Sequence, residues 1–153
     1  MLKEGEKAPT FTLPDSSGKM VSLSFFKGKR VVLYFYPKDD TPGCTAEACG
    51  FRDMGGEFEK RGAAIIGISP DDSQTHSKFA SKYGLSFTLL ADAGAKIAQK
   101  YGVWVEKENY GRKYMGIART TFVIGKDGKI EKIFEKVKPE GHNSEVLKWL
   151  NRD

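Results

Sequence analysis

The sequence predicts an α/β fold in which a central mixed sheet is flanked by helices and preceded by an N-terminal hairpin. Three observations lead there. Two apolar runs, residues 31–36 and 63–68, are rich in β-branched and aromatic residues and show no polar alternation, as strands buried on both faces do. Each is followed by a helical pattern, so strand and helix alternate as in parallel βαβ units. Later, two further strand patterns are joined across Lys126, Asp127 and Gly128, an antiparallel hairpin turn that makes the sheet mixed.

The elements follow in order. Between residues 11 and 23, short alternating runs flank Asp15, Ser16, Ser17 and Gly18, which reads as the opening hairpin. After the 31–36 strand, a helix opens at Pro42 and is expected to run toward Lys60, with Gly62 as its stop. Past the 63–68 strand, Asp72 and Ser73 supply N-cap chemistry for a helix through Tyr83, closed by Gly84. A short strand near Leu89 and Leu90 precedes a helix over residues 94–101 ending at Gly102, then a brief strand over 103–105. Residues 106–116 are polar and hold two glycines, so they read as a loop. Strands are expected over 120–124 and 129–137, and Val146, Leu147 and Leu150 share one face of a closing amphipathic helix. This order is that of a thioredoxin-like sandwich. Trp104, Phe25 and Phe26 are read as core or rim aromatics, the latter pair as candidates to border a pocket.

Bulk properties bound the function. A chain of 153 residues with 39% apolar and 12% aromatic content buries the core of one domain, taken as residues 1–153. The net charge of +5 does not point to nucleic acid, because both signs interleave along Lys126, Asp127, Lys129, Glu131, Lys132, Glu135 and Lys136, the pattern of a solvated face. Lys3, Glu4, Glu6 and Lys7 stand where a signal peptide would turn apolar, and residues 31–36 are too few to cross a bilayer. A soluble cytoplasmic protein is expected. Two cysteines are too few for a disulfide scaffold; in a reducing cytosol they are either inert or chemical. His76 and His142 lie far apart in polar surroundings at no ligand spacing, so both read as surface residues and no metal is expected. Residues 125–128 fit a turn better than a phosphate cradle.

The chemistry concentrates in residues 36–49, directly after the first buried strand. Thr41 suits an N-cap and Pro42 the first helical position, which places Cys44 in the first turn. There the amide groups lack partners and the positive end of the helix dipole favours an anion. A cysteine is more often a small buried hydrophobe. Against that stand polar or small neighbours and a place at the carboxyl end of a strand, where open α/β sheets hold ligands.

The pattern Pro37-x-x-x-Thr41-x-x-Cys44 resembles the active-site signature of the peroxiredoxins. Cys49 resembles the resolving cysteine of their bacterioferritin comigratory protein (PrxQ) subgroup, and the likeness extends to Ala8, Pro9, Phe11, Glu47, Phe51, Arg52, Arg119, Thr121 and Phe122. It covers nearly the whole chain. The resemblance implies a thiol peroxidase: Cys44 attacks a hydroperoxide, Cys49 resolves the resulting sulfenic acid as an intramolecular disulfide, and a thioredoxin-like dithiol protein restores the thiols. No metal, haem or flavin is implied, and a monomer is expected.

A free thiol with a pKa of about 8.5 is about 3% thiolate at neutral pH, so raising the thiolate population gains at most about 30-fold. The remaining acceleration requires donors that bind the peroxide oxygens more strongly as the O–O bond stretches. The Thr41 hydroxyl, the N–H groups of Gly43 and Cys44, and a guanidinium assigned by resemblance to Arg119 form the expected set, with Pro37 shaping the pocket. Glu47 is read either as an orienter of Thr41 or Arg119 or as a solvated helix residue. A dithiol oxidoreductase is disfavoured because no C-x-x-C pair is present, while a non-enzymatic redox switch using the same cysteines stays open.

Overall fold

The computed structural model describes residues 2–152, so Met1 and Asp153 of the expected domain lie outside the described residues. The opening hairpin pairs β1 (Thr12–Pro14) with β2 (Met20–Ser22), and its turn is held by the Asp15 carboxylate, which accepts from the N–H groups of Ser17 and Lys19. Next come β3 (Arg30–Phe35), α1 (Pro42–Asp53), α2 (Gly55–Lys60), β4 (Ala63–Ser69), α3 (Ser73–Tyr83) and β5 (Thr88–Ala91), with β3, β4 and β5 mutually parallel as the alternation predicts. After α4 (Lys96–Lys100), β6 (Trp104–Asn109) and β7 (Arg112–Ile117) form a separate hairpin. β8 (Thr120–Ile124) and β9 (Ile130–Phe134) complete the main sheet before α5 (His142–Leu150). That sheet runs β5-β4-β3-β8-β9, with β8 antiparallel to both its neighbours.

β3 sits at the centre and feeds two cores. Its side chains alternate by the strand period of two, so Val31, Leu33 and Phe35 enter one core while Val32, Tyr34 and the following Tyr36 enter the other. The first core is closed by Phe11 and Val21 of the opening segment, Ile97 and Ala98 of α4, and Ile117 of β7. The second is closed by Ala48 and Phe51 of α1, Phe58 of α2, Phe79 of α3, and Val146 and Leu150 of α5. Burying each such large apolar side chain contributes about 1.5–3 kcal/mol, which pins the sheet beneath α1.

Several boundaries differ from expectation. The helix expected from Pro42 toward Lys60 breaks at Met54 (φ −107°, ψ 13°), where Gly55 and Gly56 make interruption cheap. The helix expected from residue 94 starts only at Lys96, because Gly94 and Ala95 take left-handed backbone (φ 73° and 55°). The buried Asp92 carboxylate then accepts from the N–H groups of Ile97 and Ala98. β9 stops at Phe134 rather than residue 137, and Lys136 beyond it has φ 51°.

The largest correction concerns residues 106–116, expected as a loop with a brief strand before it. They form most of the β6–β7 hairpin, whose two-residue turn, Tyr110 (φ 52°) and Gly111 (φ 78°), has the two positive φ angles of a type I′ turn. Both faces are mostly exposed, so no apolar period marks the strands; the backbone ladder and the turn hold them. Phe25 and Phe26 do not border the thiol. They precede the start of β3, whereas Cys44 follows its end, roughly 20 Å away along a strand of this length. Trp104 packs half-buried against the first core.

Candidate active site

At the carboxyl end of β3 the chain turns through Pro37 to Thr41 and enters α1. Thr41 is the N-cap with extended backbone (φ −98°, ψ 155°), Pro42 is the first helical residue, and Cys44 is the third, as the sequence predicts. The Thr41 carbonyl accepts from the Thr45 N–H at 2.8 Å, which starts the helix. The N–H groups of Gly43 and Cys44 are first-turn donors with no helical acceptor. The Thr41 hydroxyl does not cap the helix. It donates to the Lys38 carbonyl at 2.8 Å, so its proton is committed and it presents lone pairs, correcting its expected role as a donor.

Cys44 is buried, at 1% exposure, rather than standing at an open loop tip. Arg119 Nη2 donates to Cys44 Sγ at 3.0 Å and Nη1 donates to Glu47 Oε1 at 3.2 Å. The approach is set by sheet register. β8 runs antiparallel to β3 with Thr120 opposite Phe35, which brings residue 119 to the end of β3 where α1 begins. Gly43 lets the guanidinium lie against the first turn: a Cβ there would stand 2.9 Å from Arg119 Nη2 and 3.2 Å from Pro139 Cγ.

Glu47 is buried rather than solvated and pairs with Arg119. Burial pushes its carboxyl up to about 7, outweighing the downward pull of the Arg119 guanidinium. Lys107 on β6 joins the same electrostatic field. Partial burial and then the Arg119 cation hold its ammonium below the usual lysine range, while Cys44 pulls it the other way. Pro37 is half-buried in the loop.

Cys49 is half-buried on the same helix, and both thiols are free. Five residues on an ideal helix rise about 7.5 Å and turn about 140° past a full turn, which separates the Cα atoms by about 8.7 Å. Cys44 thus contacts Arg119 while Cys49 is held off further along the helix.

Neither histidine lies at the surface, contrary to expectation. His76 is wholly buried beside Asp39, and His142 is buried with Nε2 2.7 Å from the Thr121 hydroxyl and Nδ1 2.8 Å from the Glu145 carboxylate. Burial holds the His142 imidazole below its usual value. Helical spacing carried the missed signal: His76 lies three residues before buried Phe79, and His142 four before buried Val146. Nothing local marked Lys107 or Pro139, which reach the site through long-range folding.

A family model described as AhpC/TSA matches residues 5–133. The putative peroxiredoxin bcp of Coxiella burnetii is 52% identical over 146 residues, covering 95% of this chain and 97% of that protein. Peroxiredoxin Bcp of Escherichia coli is 48% identical over 149 residues, covering 97% and 96%. Among solved structures, the Xanthomonas campestris bacterioferritin comigratory protein aligns with a TM-score of 0.90 at 36% identity over 97% of each chain. A Xylella fastidiosa PrxQ variant aligns with a TM-score of 0.93 at 34% identity over 98% of this chain and 96% of its own. Matched along most of its length by that model and nearly end to end by these relatives, the chain belongs to the AhpC/TSA family, among the peroxiredoxins of the Bcp type.

Proposed function

We propose that this protein reduces hydrogen peroxide and organic hydroperoxides with Cys44 as nucleophile and Cys49 as resolving thiol, and is recycled by a thioredoxin-type dithiol protein. The observation that carries the reading is the 3.0 Å contact between Arg119 Nη2 and Cys44 Sγ at the opening of α1. A charged donor there stands where oxygen charge develops during attack.

In the first step the Cys44 thiolate forms an S–O bond as the O–O bond breaks. The leaving oxygen takes a proton and departs as water or an alcohol, and Cys44 becomes a sulfenic acid. The Thr41 lone pairs accept the peroxide O–H, while Arg119 and the first-turn N–H groups donate to the oxygens. In the second step the Cys49 sulfur attacks the sulfenic sulfur, water leaves and a disulfide forms. Two electrons from the dithiol partner restore both thiols. The alkyl peroxide reduction activity of the Xanthomonas campestris bacterioferritin comigratory protein supports the organic substrates. The reading carries with it one domain acting as a monomer in the cytoplasm, without nucleic acid; among the described residues no helix is long and apolar enough to cross a membrane.

A steady-state assay with thioredoxin, its reductase and hydrogen peroxide tests this. Consumption should scale with micromolar protein, vanish in Cys44→Ser, and stop after one equivalent in Cys49→Ser unless a small thiol is added. Activity of Cys44→Ser within tenfold of the unmodified protein would sink the reading.

A further inference from the structure

Beside the Pro37-to-Thr41 loop lies a buried polar cluster that the chemistry above does not use. His76 is 0% exposed and Asp39 5%. His76 Nδ1 stands 2.5 Å from Asp39 Oδ2, its Nε2 stands 2.9 Å from the Leu90 carbonyl oxygen, and the Tyr36 hydroxyl donates to Asp39 Oδ1 at 2.6 Å. The Asp39 N–H donates at 2.8 Å to Asp71 Oδ2, which also accepts the Ser69 hydroxyl.

A carbonyl oxygen only accepts, so Nε2 carries a proton and donates it to Leu90. Nδ1 shares a hydrogen bond with the Asp39 carboxyl. Every polar atom of the pair is thus engaged, the condition under which a buried polar group is tolerated. Ligand atoms of Asp39, Asp71 and His76 lie within 4.8 Å of one another, as a metal site would need. Yet both His76 nitrogens are already bonded to protein, so seating a cation would break the contacts that satisfy the cluster.

Position gives the cluster its consequence. Asp39 follows Lys38, whose carbonyl takes the Thr41 proton, and precedes Asp40, which has left-handed backbone (φ 57°). Asp40 accepts from Lys82 Nζ at 2.8 Å and from the Tyr83 hydroxyl at 2.7 Å, both on α3. Two successive aspartates therefore tie the loop to α3, one in the core and one at the surface. The same loop anchors the first turn of α1 through the Thr41 carbonyl.

We infer that Asp39 and His76 are a positioning pair that latches the 37–41 loop in the arrangement needed for peroxide attack and restrains its release for disulfide formation. The inference rests on the roles of Cys44 and Cys49 proposed above. Attack requires Thr41, the first-turn N–H groups and Arg119 aligned on Cys44; resolution requires the start of α1 to open. Weakening the latch therefore slows the first step and speeds the second.

Rapid quench of reduced protein with one equivalent of hydrogen peroxide, read by mass spectrometry, gives the two rates separately. His76→Phe keeps a planar ring and removes both hydrogen bonds. It should lower sulfenic acid formation at least fivefold and raise disulfide formation at least twofold. His76→Asn, whose amide N–H can donate to Asp39 in place of the imidazole contact, should recover part of both changes, and surface variant Asp40→Asn should shift both in the same directions without disturbing the core. Because a general loss of stability would also ease the opening of α1, the opposed shifts must appear in Asp40→Asn at an unchanged thermal midpoint; shifts seen only with a lowered midpoint, parallel falls or two unchanged rates in Asp40→Asn and the His76 variants overturn the latch. Stoichiometric zinc binding lost in His76→Phe would also overturn it, in favour of a metal site. If the unmodified protein itself forms no sulfenic acid, the peroxidase reading fails instead.

Discussion

Arg119 Nη2 stands 3.0 Å from Cys44 Sγ although 75 positions separate the two residues in the chain. The antiparallel pairing of β8 with β3 makes the contact, and the missing side chain at Gly43 leaves room for it. A cation held there at 20% exposure acts in a less screened setting than a surface ion pair does.

Arg119→Ala should lower the second-order rate with peroxide at least tenfold, equivalent to about 1.4 kcal/mol of lost transition-state stabilisation. Stopped-flow measurement with hydrogen peroxide reads this directly. An unchanged rate would show that the guanidinium is a bystander.

Gly43→Ala separates geometry from stability. The new Cβ would stand 2.9 Å from Arg119 Nη2, the far end of a flexible side chain, and 3.2 Å from Pro139 Cγ, so the guanidinium shifts and Pro139 gives by a few tenths of an ångström while the fold holds. The expected result is a rate lowered about fivefold, or about 1 kcal/mol, with no loss of thermal midpoint. A full rate in Gly43→Ala would mean that the arginine tolerates displacement.

Glu47 predicts a pH dependence of stability. Its folded value of about 7 lies above the ordinary 4.5, so between those values the folded chain holds more of this proton than the unfolded chain. The associated stability is complete below about 4.5 and is lost as pH rises through about 7, with a limiting slope of about 1.4 kcal/mol per pH unit for one proton. Urea denaturation of the reduced protein and of Glu47→Gln, from pH 5 to 8, isolates the effect. The difference between them should decline up to neutrality and level off above it. A constant difference would mean an ordinary, permanently charged ion pair.

How far the sequence reached depended on the range of the interactions. Thr41, Pro42 and Cys44 were legible because capping is local, and β3 because burial on both faces removes alternation. The β6–β7 hairpin was illegible because its strands face solvent and its Tyr110–Gly111 turn lacks the usual asparagine or aspartate; Tyr110 is 99% exposed. His76 was misread because its partner Asp39 lies 37 residues away and the surrounding sequence is polar. The Arg119 approach to Cys44 was carried by family likeness, since register between β3 and β8 is a property of the folded sheet.

The resolving disulfide should require α1 to unwind. Cys44 and Cys49 both lie within Pro42–Asp53, at an ideal-helix Cα separation of about 8.7 Å, whereas a disulfide needs less than about 7 Å and converging side chains. Glycine does not soften this helix: Gly55 and Gly56 belong to α2, and Gly50 serves packing, because a Cβ there would stand 2.6 Å from Asn143 Oδ1 of α5. What limits the cost is the break at Met54, which leaves a helix of 12 residues to open from its Thr41 end. Phe51, buried on the inner face of α1, opposes complete melting, so the first turns are expected to open while the end nearest Met54 stays docked. Circular dichroism should record a partial helix loss on oxidation that reverses with a dithiol reductant. Hydrogen exchange should lose protection first over residues 44–49 and least at Phe51. Oxidised protein that keeps its full helical signal and its protection across residues 44–49 would mean that the two sulfurs do not meet within one chain, leaving resolution to a second molecule.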